Sequence, residues 1–269
     1  MISYAQNLED VIFQRVFEKD DGVYVDVGAN DPVIDSATYA LYRRGWRGIA
    51  VEPQAALHAR ALEIRPEDTN IQALASDVED IVAFYEVEPW HCLSTLDPAI
   101  AARHAADGFT VRETRMPALT LNTLLTEHLG PRVIDLLTVD VEGAEEKVLA
   151  GLDLRRYRPT LIMIEAMAPE RQIDVSQPSE AILRSAGYEP VYEDGLNRFF
   201  LAAEHSALKP HFRYPPNVFD GFRRAGEITL EAALEAARSR IAELERLVAE
   251  REPPRPESGS PGNTVSTGA

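Results

Sequence analysis

Short apolar runs alternate with amphipathic stretches along the first two hundred residues. Val23–Val27, Ile49–Val51, Ile71–Ala75, Ile134–Val139 and Thr160–Ile164 are bounded by turn residues and predict buried strands. Between them the spacing changes to that of helices. Leu8, Val11, Ile12 and Val16 share one helical face, and Ser3 and Gln6 ahead of them have the spacing of a capping box. Ser36 to Arg44 predicts a helix stopped by Gly45, and another runs through Leu57, Leu62 and Ile64. Further helices are predicted over Thr120–Leu129, Gly143–Leu149 and Ser179–Ala186. Val82–Val87 alternates weakly and suggests an added strand. Residues 88–118 are less regular, with a short helix after Asp97-Pro98 and a strand near Thr110–Met116. Tyr188–Glu193 and Asn197–Ala202 flank Asp194-Gly195, a strong hairpin signal. This alternation predicts an α/β, doubly wound (Rossmann-like) fold: a parallel sheet covered by helices on both faces, closed by a terminal antiparallel hairpin.

Pro215-Pro216 ends the globular pattern, placing the folded domain at 1–222. Beyond it Leu230, Leu234, Ala237, Ile241, Leu244 and Val248 follow steps of four and three, a heptad seam of nearly three repeats. A C-terminal helix over 227–251 is expected, with homo-oligomerisation through a coiled coil set against simple packing on the domain. Residues 252–269, rich in Pro, Ser, Gly and Thr, are expected to be a disordered tail.

Composition narrows the function. The chain has 269 residues, 45% of them hydrophobic, enough for a real core. Its net charge of −17 argues against nucleic acid and anionic membrane surfaces as partners. The single cysteine, Cys92, makes no internal disulfide, and no apolar run approaches the ~20 residues of a membrane span. With no signal-like amino terminus, a cytoplasmic location is the default expectation.

Candidate chemistry sits at the carboxyl ends of the strands, where open α/β sheets bind ligands. The first strand delivers Asp26, then Gly28, Ala29 and Asn30 in a tight turn. The second ends in Glu52-Pro53, an acid placed to accept hydrogen bonds from both ribose hydroxyls. After Gly28 the chain runs Ala29-Asn30-Asp31-Pro32-Val33 with no further glycine. The usual pyrophosphate cradle is therefore missing, and the pair reads as a site for a nucleoside without phosphates. Ser76-Asp77 closes the third strand. In the second half, Asp140 and Glu142 follow one strand and Glu165 ends the next. Three converging carboxylates repel unless protonated, paired or bound to a cation. Either one of them is a general base, or the group holds Mg²⁺ or a similar hard cation; against both stands a structural role, with Glu142 capping the helix at Gly143. Asn197 and Arg198 follow the hairpin turn and either reach over the pocket or satisfy the turn. Tyr4, Gln6 and Glu9-Asp10 form either a lid or an exposed helix. Ser94-Thr95 lies in the irregular insertion, where substrate-selecting loops reside. The six histidines show no metal-ligand spacing.

Several segments in order carry a resemblance: Ser3–Asp10, Tyr24–Pro32, Leu41–Gly48, Leu93–Leu96, Val139–Glu145, Ile164–Ala166, Asp194–Phe199 and Pro215–Asp220. Together they make the chain, over roughly residues 3–222, resemble the FkbM family of S-adenosylmethionine-dependent methyltransferases. Gln177-Pro178-Ser179-Glu180 departs from it, standing where relatives often have a Trp-Glu pair. The resemblance implies a class I methyltransferase sheet and methyl transfer to oxygen, commonly on a sugar, glycan or secondary metabolite. It implies S-adenosyl-L-methionine as cofactor, with Asp26, Gly28 and Asn30 beside its methionine part, Glu52 on the ribose, Ser76 and Asp77 at the adenine edge and Asp140 near the amine. The catalytic candidates are Asp140, Glu142, Glu165 and Asn197, and Asp140, Glu142 and Glu165 are also the metal candidates. A phosphorylated acceptor would need local basic residues such as Arg43, Arg44, Arg47, Arg112 or Arg115. Two other functions remain open at this point: an NAD-dependent oxidoreductase, and a non-catalytic protein that keeps the fold and recruits a partner through the C-terminal helix.

Overall fold

A computed structural model describes residues 1–168 and 171–251. By its internal contacts the chain divides into two units, Met1–Arg224 and Ala225–Ala269. In the first unit the elements run β1 (Ile2–Ser3), α1 (Glu9–Val16), β2 (Val23–Val27), α2 (Tyr39–Arg44), β3 (Arg47–Val51), α3 (Ala55–Ile64), β4 (Thr69–Ile71), β5 (Leu74–Ala75) and β6 (Asp80–Glu88). They continue with α4 (Pro98–Ala106), β7 (Thr110–Leu119), α5 (Leu121–His128), β8 (Leu136–Val139), α6 (Glu145–Ala150), β9 (Leu161–Glu165), α7 (Gln177–Ser185), β10 (Tyr188–Glu193), β11 (Asn197–Ala202) and β12 (Arg223–Arg224). The second unit holds α8 (Ala225–Arg251). The expected tail, 252–269, lies outside the described residues.

The main sheet has seven strands in the order β10-β11-β9-β8-β2-β3-β4. β9, β8, β2, β3 and β4 pair parallel, and β11 is antiparallel to both β9 and β10. The result is an α/β fold with a mixed sheet. Sequence order reverses between β2 and β8, and a crevice opens at the strand ends there.

Strand alternation divides the core in two. Val25 and Val27 of β2, Leu137 and Val139 of β8, and Ile162 and Ile164 of β9 pack with Leu121, Leu124 and Leu125 of α5, Val148 and Leu149 of α6, and Leu183 of α7. The intervening residues Tyr24, Leu136, Leu161 and Met163 pack instead with Ile12, Phe13 and Val16 of α1 and Leu41 of α2. A period of two sends neighbours to opposite sheet faces, so one set of strands fills two cores.

Three local expectations are corrected. The strand expected over Ile71–Ala75 is broken: β4 joins the main sheet, whereas β5 pairs with β7 in a second, three-stranded sheet that includes β6. Ser3 and Gln6 do not cap α1, which begins at Glu9 after Leu8 in a left-handed conformation. The Ser3 hydroxyl donates to the Asp10 carboxylate at 2.6 Å instead. The helix expected from Ser36 starts at Tyr39, because Ser36 and Thr38 hold a buried arginine, described below. β10 and β11 flank Asp194-Gly195 and pair antiparallel, β7 runs past the strand expected near Thr110–Met116 to Leu119, and Asp97 caps α4 by accepting from the Ala99 amide at 2.7 Å.

Candidate functional site

A cavity of about 720 Å³ lies over the carboxyl ends of β2, β3, β8 and β9. Asp26, Gly28, Asn30, Glu52, Asp140, Glu142, Glu165 and Asn197 all line it. Ser76 and Asp77 do not. The break after β4 lets Ala73, Leu74 and Ala75 form that wall, and carries Ser76 on to pack beneath Gly151. The Ser76 hydroxyl donates to Asp77 at 3.1 Å.

The turn after β2 is built on close backbone contact. Gly28 has φ +79°, and a Cβ there would sit 1.7 Å from the Asp140 carbonyl oxygen. The glycine is thus required by the neighbouring turn of the protein itself. Glu52 reaches across the same turn: one oxygen accepts from the Asn30 amide and the other from the Gln54 amide, both at 2.8 Å. Burial pushes its carboxyl up to about 7. The Gln54 side chain donates to the His91 carbonyl at 3.0 Å, tying this turn to the insertion that supplies His91 to Ser94 as another wall.

Asp26 belongs to a buried polar network. It accepts from the Thr138 hydroxyl at 2.7 Å and the Thr38 hydroxyl at 2.5 Å. Thr38 in turn accepts from Arg65 at 2.8 Å. Arg65 is only 1% exposed and also donates to Ser36 and to the Pro32 carbonyl. It thereby fixes the 31–38 loop, whose Asp35, Ser36 and Ala37 line the cavity. On the far side Asp68 accepts from Tyr24 and from the Gly48 amide. Arg65 had no signal in the sequence, since a single arginine near a helix end is normally solvated.

The β8 and β9 ends are built differently. Glu145, at the start of α6, accepts from the Val141 and Gly143 amides, both at 3.1 Å. It, and not Glu142, closes this turn. Burial, then the nearby Asp140 charge, hold the Glu145 carboxyl up at about 7. Glu142 adopts φ +54°, a conformation disfavoured for a side chain, and borders the cavity. Its carbonyl accepts from Thr95 at 2.9 Å, so the Ser94-Thr95 segment braces the turn. Oxygens of Asp140, Glu142 and Glu165 lie within 4.8 Å of one another. Asp140 keeps a face on the cavity, yet burial pushes its carboxyl up to about 6. Glu165 is pushed up to about 12, first by burial and then by the Asp140, Glu142 and Glu145 charges. Of this close pair, burial and the surrounding charges favour the protonated form more strongly at Glu165 than at Asp140. The Glu165 Oε2 is buried with no hydrogen-bond partner among the described residues. This oxygen-only donor set with an orphaned oxygen fits a hard divalent cation.

Asn197 sits opposite Glu165 in the β9–β11 register. Its amide donates to Glu9 at 2.9 Å and to Asp194 at 3.2 Å. Glu9 also accepts from the Asn7 amide at 2.8 Å, and burial raises its carboxyl to about 7. Asn197 therefore binds the amino-terminal segment to the hairpin, and Gln6, Asn7 and Glu9 become part of the cavity wall. Arg198 points elsewhere, pairing with Asp174, Glu180 and Glu193. None of Arg43, Arg44, Arg47, Arg112 and Arg115 lines the cavity; among the described residues the arginine that lines it, together with several carboxylates, is Arg171.

The model of the methyltransferase FkbM domain matches residues 26–190, more than half of the chain, and the protein belongs to the FkbM methyltransferase family. Among solved structures it is similar to a methyltransferase FkbM from Methylobacillus flagellatus KT, with TM-score 0.41 and 16% identity over 68% of this chain and 44% of that one. The chain thus spans less than half the length of that relative. A TehB-like SAM-dependent methyltransferase from Corynebacterium glutamicum ATCC 13032 Kitasato matches with TM-score 0.39 and 11% identity, over 72% of this chain and 86% of that one. No curated protein sequence matches the chain. Among the described residues, no helix is long and apolar enough to cross a membrane.

Proposed function

We propose that the protein is an S-adenosylmethionine-dependent O-methyltransferase acting on a hydroxyl of a sugar, glycan or secondary-metabolite acceptor. The observation that carries this reading is one cavity shared by two carboxylate sets, Asp26 with Glu52 and Asp140 with Glu142 and Glu165. The first set suits a nucleoside. Each Glu52 oxygen accepts one backbone amide and keeps a lone pair for a ribose hydroxyl. Asn30, Gly28 and the Asp26 turn would flank the methionine part. Ala73 to Ala75 and Phe84 offer an apolar wall for a base, in place of Ser76 and Asp77.

When bound, the cofactor supplies a methyl group on a sulfonium, which is transferred by in-line displacement. The chain's own residues align the acceptor and exclude water. Asp140, ionised at neutral pH while Glu165 holds its proton, takes the acceptor's hydroxyl proton as the new carbon–oxygen bond forms. The alternative favoured by the orphaned Glu165 oxygen is a divalent cation held by Asp140, Glu142 and Glu165, which would acidify the same hydroxyl. The acidic lining favours neutral or cationic acceptors over phosphorylated ones.

Calorimetric titration with S-adenosylhomocysteine and with NAD tests the cofactor. Saturable binding of the first alone is expected, and binding of NAD alone would overturn the reading. Transfer of labelled methyl from the cofactor onto a panel of sugars, with and without a chelator, tests the acceptor and the cation. Loss on chelation and recovery with Mg²⁺ assigns the carboxylates to a cation, and indifference to chelation assigns Asp140 as the base.

A further inference from the structure

The apolar seam of α8 is open to solvent. Leu230 is 71% exposed, Leu234 50%, Ile241 55%, Leu244 45% and Val248 59%. Steps of four and three along a helix place these residues and Ala237 on one stripe, with Leu234, Ile241 and Val248 at the a positions and Leu230, Ala237 and Leu244 at d. β-Branched residues at a and leucine at d favour two parallel strands. Two of the three a positions and two of the three d positions follow that rule.

The flanking charges choose the orientation. Glu231, Arg238 and Glu245 occupy the e positions, and Ala233, Arg240 and Leu247 occupy g. In a parallel pair in register, each g residue faces the e residue of the next heptad on the other helix. Arg240 then faces Glu245 of the second copy, and two-fold symmetry makes the contact twice. An antiparallel pair with the same full overlap sets e against e and g against g. It brings Glu231 to Glu245, Arg238 to Arg238 and Arg240 to Arg240, all like charges. Arg240 also pairs with Glu243 within its own helix, so it is held on that flank of the seam before any partner arrives.

We propose that α8 pairs with α8 of a second copy of this chain as a parallel, two-stranded coiled coil in register, and that the protein is a homodimer through this contact. The inference is independent of the catalytic reading, because none of these residues lines the cavity.

The test uses the full chain, with far-ultraviolet dichroism as the check on folding. Light scattering at micromolar to tens of micromolar concentration is expected to give a dimer mass for the wild type and a monomer mass for Ile241→Asp. Arg240→Glu turns two attractive contacts into repulsive ones and is expected to weaken dimerisation by about tenfold. The exchange Arg240→Glu with Glu245→Arg restores the pairing and is expected to restore the dimer. For orientation, Leu244→Cys in a Cys92→Ser background is expected to form a disulfide-linked dimer on oxidation, because a parallel pair sets both copies of that position at one level. A monomeric wild type overturns the proposal, as does a dimer that Ile241→Asp leaves intact. A dimer weakened equally by the single and exchanged charges overturns the parallel register, as does a Leu244→Cys variant that fails to crosslink.

Discussion

The ends of β2 and β8 are neighbours in the sheet, with Val27 opposite Val139, yet their charged groups are managed in opposite ways. Below β2, Asp26 accepts two hydroxyls, and through Thr38 it is joined to the buried cation Arg65. At β8 and β9, oxygens of Asp140, Glu142 and Glu165 gather within 4.8 Å of one another, and the buried Glu165 Oε2 lacks a hydrogen-bond partner among the described residues. A satisfied polar network is a structural device that holds a loop in place. An unsatisfied one is destabilising by itself and is tolerated where a ligand, a proton or a cation completes it. On the function proposed above, the first region mainly holds a loop in place and the second carries the chemistry.

The largest expected effect breaks the comparison at its chemical end. Asp140→Asn should reduce methyl transfer by ~10²–10⁴-fold while the protein stays folded, measured as labelled methyl incorporation per enzyme. A wild-type rate would move the chemistry away from this cluster. Next comes the architectural end. Arg65→Met leaves Thr38 and the adjoining carboxylates without their buried cation and should destabilise the fold by about 3 kcal/mol in urea unfolding. Thr38→Ser should keep near wild-type stability, since the hydroxyl that links Arg65 to Asp26 remains. Should Arg65→Met unfold at the wild-type midpoint, the network holds nothing.

Glu52→Ala tests the nucleoside side of the cavity. It should weaken S-adenosylhomocysteine binding by about 1.5–3 kcal/mol, the range for one charge-assisted hydrogen bond. Undiminished affinity would remove Glu52 from the cofactor site.

The smallest effect concerns pH. Glu9, Glu52 and Glu145 rise from 4.5 to about 7 on folding. A raised carboxyl means that the folded chain holds its proton more tightly than the unfolded one. The stability these groups contribute is therefore complete below 4.5 and is lost as pH rises through about 7. Melting temperature without ligands should fall from about pH 5 to about pH 8. Glu165→Gln removes the proton that the cluster must retain, so it should stabilise the free protein by on the order of 1 kcal/mol near pH 8 and less near pH 5, while lowering activity. A destabilised Glu165→Gln would show that its carboxyl is ionised and paired in the free protein.

In both regions the acids at the strand ends were legible in the sequence. Asp26, Glu52, Asp140 and Glu165 each end an apolar run or fall one residue beyond it, and strand ends face the ligand side of such a sheet. The turn at Asp194-Gly195 and a C-terminal helix, expected over 227–251 and observed as Ala225–Arg251, were also marked by local pattern. The partners that hold those acids were hidden. Arg65 meets Pro32, Ser36 and Thr38 only because α3 and the 31–38 loop fold together. Glu9 and Asn197 are 188 positions apart and meet only when α1 lies beside the hairpin. Glu145 displaced Glu142 as the residue closing its turn because only the folded turn shows which carboxylate reaches the Val141 and Gly143 amides.

What the amino-acid order determined by itself was most of the elements, the face each one buries and the acids at the strand ends, because hydrophobic period and turn chemistry act between near neighbours. Tertiary structure alone decided that Ser76 and Asp77 leave the cavity, that Glu9 joins its wall and that burial pushes the Glu165 carboxyl up. Those outcomes depend on desolvation and on charges brought from distant parts of the chain, and neither exists until the two cores have closed over the sheet.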